Sequence, residues 1–132
     1  MGSVIKTVTY YKTAFWETKG FHGSCIVIDD TEPVNFILND TKPDGSYPAL
    51  LSYIPGGKAI SWNQKSSEER KAALCKLYSK IFKSEDALQP INYLEFAWIG
   101  TPFIGGGHSP FYPPGVITGY ARYVLINVYF CR

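Results

Sequence analysis

With 132 residues, 45% of them hydrophobic and 16% aromatic, the chain suits a single domain burying roughly two-thirds of its unfolded surface and is too apolar for a disordered segment. A net charge of +2, spread without a basic stripe, argues against a nucleic-acid-binding surface. No stretch reaches membrane-spanning length and no apolar signal-peptide core opens the chain.

In chain order, Val4 to Tyr11 alternates as a strand, with Val4, Lys6, Val8 and Tyr10 on one face and Ile5, Thr7, Thr9 and Tyr11 on the other. Ser24 to Ile28 and Val34 to Leu38 are β-rich runs, and Asp29-Asp30-Thr31-Glu32-Pro33 between them reads as a hairpin connection. Ala49 to Ile54 is a further apolar run, which Pro55-Gly56-Gly57 breaks. Ser66 and Glu69 have capping-box spacing, and Leu74, Leu77, Tyr78 and Ile81 then form one apolar helical face. A short second helix around Glu85 to Leu88 ends at Pro90, and Ile91 to Trp98 and Tyr123 to Phe130 read as the last strands. The expected fold is one α+β domain over residues 1–132, with a mostly antiparallel or mixed sheet, one long helix and a short second one.

Cys25, Cys75 and Cys131 are odd in number and lack metal-ligand spacing, which predicts no metal site and a reducing compartment. Met1-Gly2 fits the start of a myristoylation signal, but Lys6 stands where Ser or Thr is needed. These features predict a soluble intracellular protein that does not bind membranes.

The most informative stretch is Gly105-Gly106-Gly107-His108, followed by Ser109-Pro110-Phe111-Tyr112-Pro113-Pro114-Gly115. It resembles the flavin-attachment loop of the flavin monoamine oxidases, where a small-residue run leads into Cys-Tyr and an aromatic-Pro-Pro-Gly turn. Gly107 stands at the flavin-linking Cys and His108 at an active-site Tyr. Gly2 to Lys6 with Tyr10-Tyr11-Lys12 and Phe15-Trp16 is similar to the family strand that carries a flavin-side lysine. Asn39-Asp40-Thr41-Lys42-Pro43-Asp44-Gly45 is similar to the family's Asp-Asp-Thr-Lys-Pro-Glu-Gly. Glu68-Glu69-Arg70, Leu74-Cys75-Lys76-Leu77-Tyr78 and Ala87-Leu88-Gln89-Pro90 continue the resemblance in register. It covers nearly the whole chain, yet corresponds only to the second stretch of the family's substrate domain.

Amine oxidation needs FAD, because protein side chains do not accept a hydride. The Gly-x-Gly-x-x-Gly turn that opens a dinucleotide fold is not found here: Gly105 and Gly107 have Pro110 at the third glycine position. The chain by itself is therefore expected to hold no cofactor, and to meet FAD only if a partner chain supplies the binding elements.

The resemblance assigns Lys6 to the flavin side, through a water. The ordinary alternative is a lysine whose stem packs while its head reaches solvent, and without flavin that alternative is preferred. Phe36 corresponds to the family's gate between entrance and substrate cavities, and Ile26, Leu51 and Tyr53 to cavity lining; apolar residues at strand spacing are otherwise core. Trp98 and His108 correspond to positions close to the flavin. A histidine could also bind metal or act as a base, but His22 is the only other one and nothing joins the two.

Three functions follow as expectations. The first is a non-catalytic protein that binds a small aromatic or amine compound through Ile26, Phe36, Leu51, Tyr53, Trp98 and His108. The second is a fragment or subunit of an FAD-dependent amine oxidase that takes its flavin from another chain and keeps Lys6 as a catalytic residue. The third is a purely structural assembly domain. In each case an incomplete sheet requires cover, so a homo-oligomer or a partner protein is expected.

Overall fold

The computed structural model describes residues 2–107, 114–116, 118 and 119. A five-stranded antiparallel sheet carries helices on one face. The strands are β1 (Val4–Tyr10), β2 (Cys25–Ile26), β3 (Phe36–Asn39), β4 (Ala49–Pro55) and β5 (Asn92–Ala97), ordered β2-β3-β4-β1-β5. The helices are α1 (Phe15–Thr18), α2 (Gly56–Trp62) and α3 (Ser67–Phe82), with a 3-10 helix at Glu85–Leu88. The expected α+β class, the antiparallel sheet and the long helix are all present. The expected strand from Tyr123 to Phe130 lies outside the described residues.

The alternation along β1 leaves two faces to choose between, and the helices cover the more polar one. Ile5, Thr7 and Thr9 are fully buried, whereas Lys6, Val8 and Tyr10 are only half-buried. Burying a hydroxyl is tolerable when it is hydrogen-bonded. Thr7 Oγ1 donates to the Ser52 carbonyl at 3.2 Å, and Ser52 Oγ and Tyr78 Oη share a bond of 2.8 Å between sheet and helix.

Over this face α3 lays Leu74, Leu77, Tyr78 and Phe82, all buried. Each such side chain contributes about 1.5–3 kcal/mol on burial. Ile81, on the same stripe, is partly buried. The capping box starts the helix as expected: Glu69 N–H donates to Ser66 Oγ at 3.2 Å, and Ser66 N–H to Glu69 Oε2 at 2.7 Å. Phe15 and Trp16 of α1 close the core with Tyr11 and Phe82. Their rings meet edge to face at 4.9 Å (Tyr11–Phe15) and 5.0 Å (Phe15–Trp16), the favourable aromatic arrangement.

Two local expectations change. Pro55-Gly56-Gly57 ends β4, but Pro55 also serves as the N-cap of α2. Gly56, at φ 60°, makes the corner, so the breaker residues form a junction rather than a loop. The hairpin over Asp29–Pro33 exists, but β2 is reduced to Cys25–Ile26, paired with Ile37 and Phe36.

Candidate functional site: the open face of the sheet

Antiparallel register brings residues from all five strands into one line across the face that the helices leave bare. Ile26 lies opposite Phe36, Phe36 opposite Tyr53, Tyr53 opposite Lys6, and Lys6 opposite Phe96. A second line behind it runs Leu38, Leu51, Val8, Leu94. Side chains opposite one another across a sheet stand close enough to touch. Phe36 and Tyr53 do so, with ring centroids 5.5 Å apart.

This face is apolar and wet. Ile26 is 78% exposed, Leu94 53%, Phe96 47% and Leu38 43%, while Leu51 is buried at 7%. Phe36, Tyr53 and Lys6 are half-buried. Lys6 makes no ion pair among the described residues, so its ammonium stands alone among rings and aliphatic side chains.

At the β5 end the chain turns back under the sheet edge. Trp98 N–H donates to the Val4 carbonyl at 3.3 Å and Gly107 N–H to the Gly2 carbonyl at 2.8 Å, tying the 98–107 loop to the start of β1. Trp98 packs edge-on against Phe96 with centroids 4.9 Å apart. A cleft of about 320 Å³ results, lined by Val4, Lys6, Tyr53, Trp98 and Gly107. Gly107 is seated tightly: a Cβ there would lie 3.2 Å from Val4 Cγ1 and 3.3 Å from Trp98 Cγ. A side chain at this position needs both neighbours to give way.

Of the residues singled out from sequence, Lys6, Ile26, Phe36, Leu51 and Tyr53 share the open face, and Trp98 joins Lys6 and Tyr53 in the cleft. His108 lies outside the described residues. His22 is exposed, and no cluster of metal-binding side chains occurs among the described residues. Val8 shares the face with Lys6 as the alternation of β1 predicts, whereas Leu38, Leu94 and Phe96 were missed as members of it. The period-two alternation of Leu94, Phe96 and Trp98 carried the signal for three-strand continuity, but alternation does not say which face is open.

A family model described as flavin containing amine oxidoreductase matches residues 1–125. The chain belongs to this family. It is 41% identical over 124 residues to amine oxidase [flavin-containing] A of Equus caballus, and 43% identical over 122 residues to amine oxidase [flavin-containing] B of Bos taurus. These matches take in 94% and 92% of the chain but 24% of each relative, so the chain spans about a quarter of their length. Among solved structures, cyclohexylamine oxidase from Brevibacterium oxydans superposes with a TM-score of 0.77 at 30% identity, over 92% of this chain and 26% of that one. Putrescine oxidase bound to putrescine, at 24% identity and a TM-score of 0.74 over 90% of this chain and 26% of that one, supports the fold alone. The chain thus has the fold of about a quarter of a flavin amine oxidase. No helix among the described residues is long and apolar enough to cross a membrane.

Proposed function

We propose that the open sheet face is one wall of a binding site for a small aromatic or amine compound, and that these residues contribute binding rather than catalysis. The observation that carries this reading is the register-aligned line Ile26–Phe36–Tyr53–Lys6–Phe96. It offers flat apolar surface with two polar groups, the Lys6 ammonium and the Tyr53 hydroxyl, the usual make-up of a small-molecule wall. Two cations 4 Å apart repel by about 4 kcal/mol at an effective dielectric of 20. An amine beside Lys6 therefore binds in its neutral form, with its aromatic portion on Phe36 and Tyr53. The opposite wall comes from further polypeptide, whether of the same protein, a second copy or a partner chain.

A second reading is favoured by the cleft where Lys6, Trp98 and Gly107 meet. Its donor set fits a flat ring system held without a covalent link, since Lys6 and Trp98 offer an ammonium and an indole while Gly107 offers no thiol. FAD brought there by other polypeptide would supply the hydride-accepting chemistry. Lys6 would hold a proton donor at its edge, and Trp98 would pack against it and exclude water.

Titration of the protein with benzylamine, followed by amide and aromatic shifts, tests the first reading. Saturable changes at Phe36, Tyr53 and Phe96 are expected, with affinity about tenfold weaker in Phe36→Ala, equivalent to about 1.4 kcal/mol of lost contact. Absence of binding, or equal binding by the variant, sinks it in favour of a purely structural domain. Hydrogen peroxide formed from benzylamine on addition of FAD, and abolished in Lys6→Met, would replace it with the second reading.

A further inference from the structure

A groove of about 550 Å³ lies on the helical side of the sheet, away from the amine-site wall. One wall is a continuous stripe of α3: Ala73, Lys76, Leu77 and Lys80, at the i, i+3, i+4, i+7 positions that share a helix face. Facing it are the loop before β3, with Glu32 and the buried Pro33, and the Trp62 ring at the end of α2. Leu77, 3% exposed, forms the floor.

The charges around this groove are mostly matched. Lys80 Nζ is 2.9 Å from Glu32 Oε1. Lys58 Nζ donates to the Glu32 carbonyl at 2.9 Å and lies 4.0 Å from Asp30. Lys65 Nζ sits 3.7 Å from the centroid of the Trp62 ring, a cation–π contact that holds the indole in place. Lys76 differs: it is exposed on the groove wall and has no ion pair or hydrogen bond among the described residues. A 550 Å³ groove is within the usual range for small ligands, roughly 300–1,000 Å³.

We infer that this groove is a second small-molecule site, selective for a planar aromatic monocarboxylate, with the ring against Trp62 and Leu77 and the carboxylate on Lys76. A carboxylate fits better than a phosphate, because one free ammonium matches one negative charge and no guanidinium fork is present. The only described arginine, Arg70, is engaged elsewhere with Glu95. The selectivity is opposite to that of the amine wall and does not depend on it. A protonated amine is repelled by Lys76, whereas a carboxylate is attracted to it.

The experiment is a titration of the isotope-labelled protein with indole-3-acetate, with tryptamine as the probe of the same ring and opposite charge. Saturable shifts are expected in the backbone of residues 73–80 and in the Trp62 indole N–H. Lys76→Gln should weaken binding about fivefold, and tryptamine should leave these signals unmoved. Lys76 is exposed and outside the core, so that variant folds; a second variant, Trp62→Leu, should weaken both the affinity and the shifts. No saturable change, equal affinity in Lys76→Gln, equal binding of tryptamine in the groove, or shifts confined to Phe36, Tyr53 and Phe96 would each overturn the inference. The two proposed sites fail separately, because each has its own probe and its own set of responding residues.

Discussion

Arg70, 8% exposed, is held by four hydrogen bonds that join three elements. Its Nε donates to Glu95 Oε2 at 2.8 Å, a second N–H donates to Glu95 Oε1, and Nη1 donates to the carbonyls of Trp62, at 2.9 Å, and Lys65. Tyr93 Oη also donates to Glu95 Oε2, at 2.7 Å. Burial pushes the Glu95 carboxyl up, but the hydrogen bonds from Arg70, Tyr93 and Ser67 outweigh it and hold it below the usual carboxylate range. Because the folded value lies below the unfolded one, the pair's stabilisation is present above the unfolded pKa and is lost as pH falls through the folded value. Glu95→Gln leaves the guanidinium buried without its counter-charge and should cost roughly 3 kcal/mol at neutral pH by urea denaturation. The gap between variant and wild type should narrow as pH falls below the carboxylate range. A variant as stable as wild type at pH 7 would show that the pair contributes nothing net.

At the scale of elements, the small α1 helix depends on one closely packed glycine. Gly23, at φ 77°, lies so close to the Trp16 ring that a Cβ would sit 2.6 Å from Nε1 and 2.9 Å from Cδ1. Gly23→Ala combines an unfavourable left-handed conformation with overpacking of a fully buried indole, and should destabilise by about 2–4 kcal/mol. A lowered denaturation midpoint with unchanged slope is the expected result; an unchanged midpoint would mean that α1 shifts freely to make room. The start of α3 is simpler. Ser66→Ala removes a capping-box acceptor and should cost about 1 kcal/mol, since the Glu69 N–H then turns to water.

For the whole molecule, the decisive asymmetry is between the two faces of the sheet. One carries the core under α1 and α3; the other presents Ile26, Leu38, Leu94 and Phe96 to solvent. Soluble monomers rarely leave contiguous apolar patches of this kind bare, and among the described residues β5 is an edge strand with an unpaired side. With the chain spanning 24% of its curated relatives' length, further polypeptide is the expected cover. Alone at micromolar concentration, the 132-residue chain is expected to associate through this face, giving a mass above the monomer by light scattering. Leu94→Lys should return it to a monomer without loss of stability, because Leu94 is already half in water. A monomeric wild type would count against the open face as an association surface.

Much of this was legible in the sequence because it is locally encoded. The alternation in β1, the apolar run of β4, the Ser66–Glu69 cap, the α3 stripe and the Asp29–Pro33 connection each rest on side-chain spacing and backbone hydrogen bonding over a few residues. The resemblance carried by Gly105–Gly115 and the Asp-Thr-Lys-Pro stretch was enough to name the family. The rest was decided by packing between residues far apart in the chain. Nothing in Val4 to Tyr11 says that the threonine face turns inward; that follows from α3 packing over it and the Ser52 carbonyl accepting from the Thr7 hydroxyl. Arg70 reads as an ordinary helix-surface charge until β5 brings Glu95 to it from 25 positions away. Pro55-Gly56-Gly57 signals an interruption, and only the sheet beneath selects a helix to follow it. Lys6, Tyr53, Trp98 and Gly107 line one cleft because the register of β1 with β4 and the return of the 98–107 loop put them there, and register is a property of paired strands rather than of any one segment.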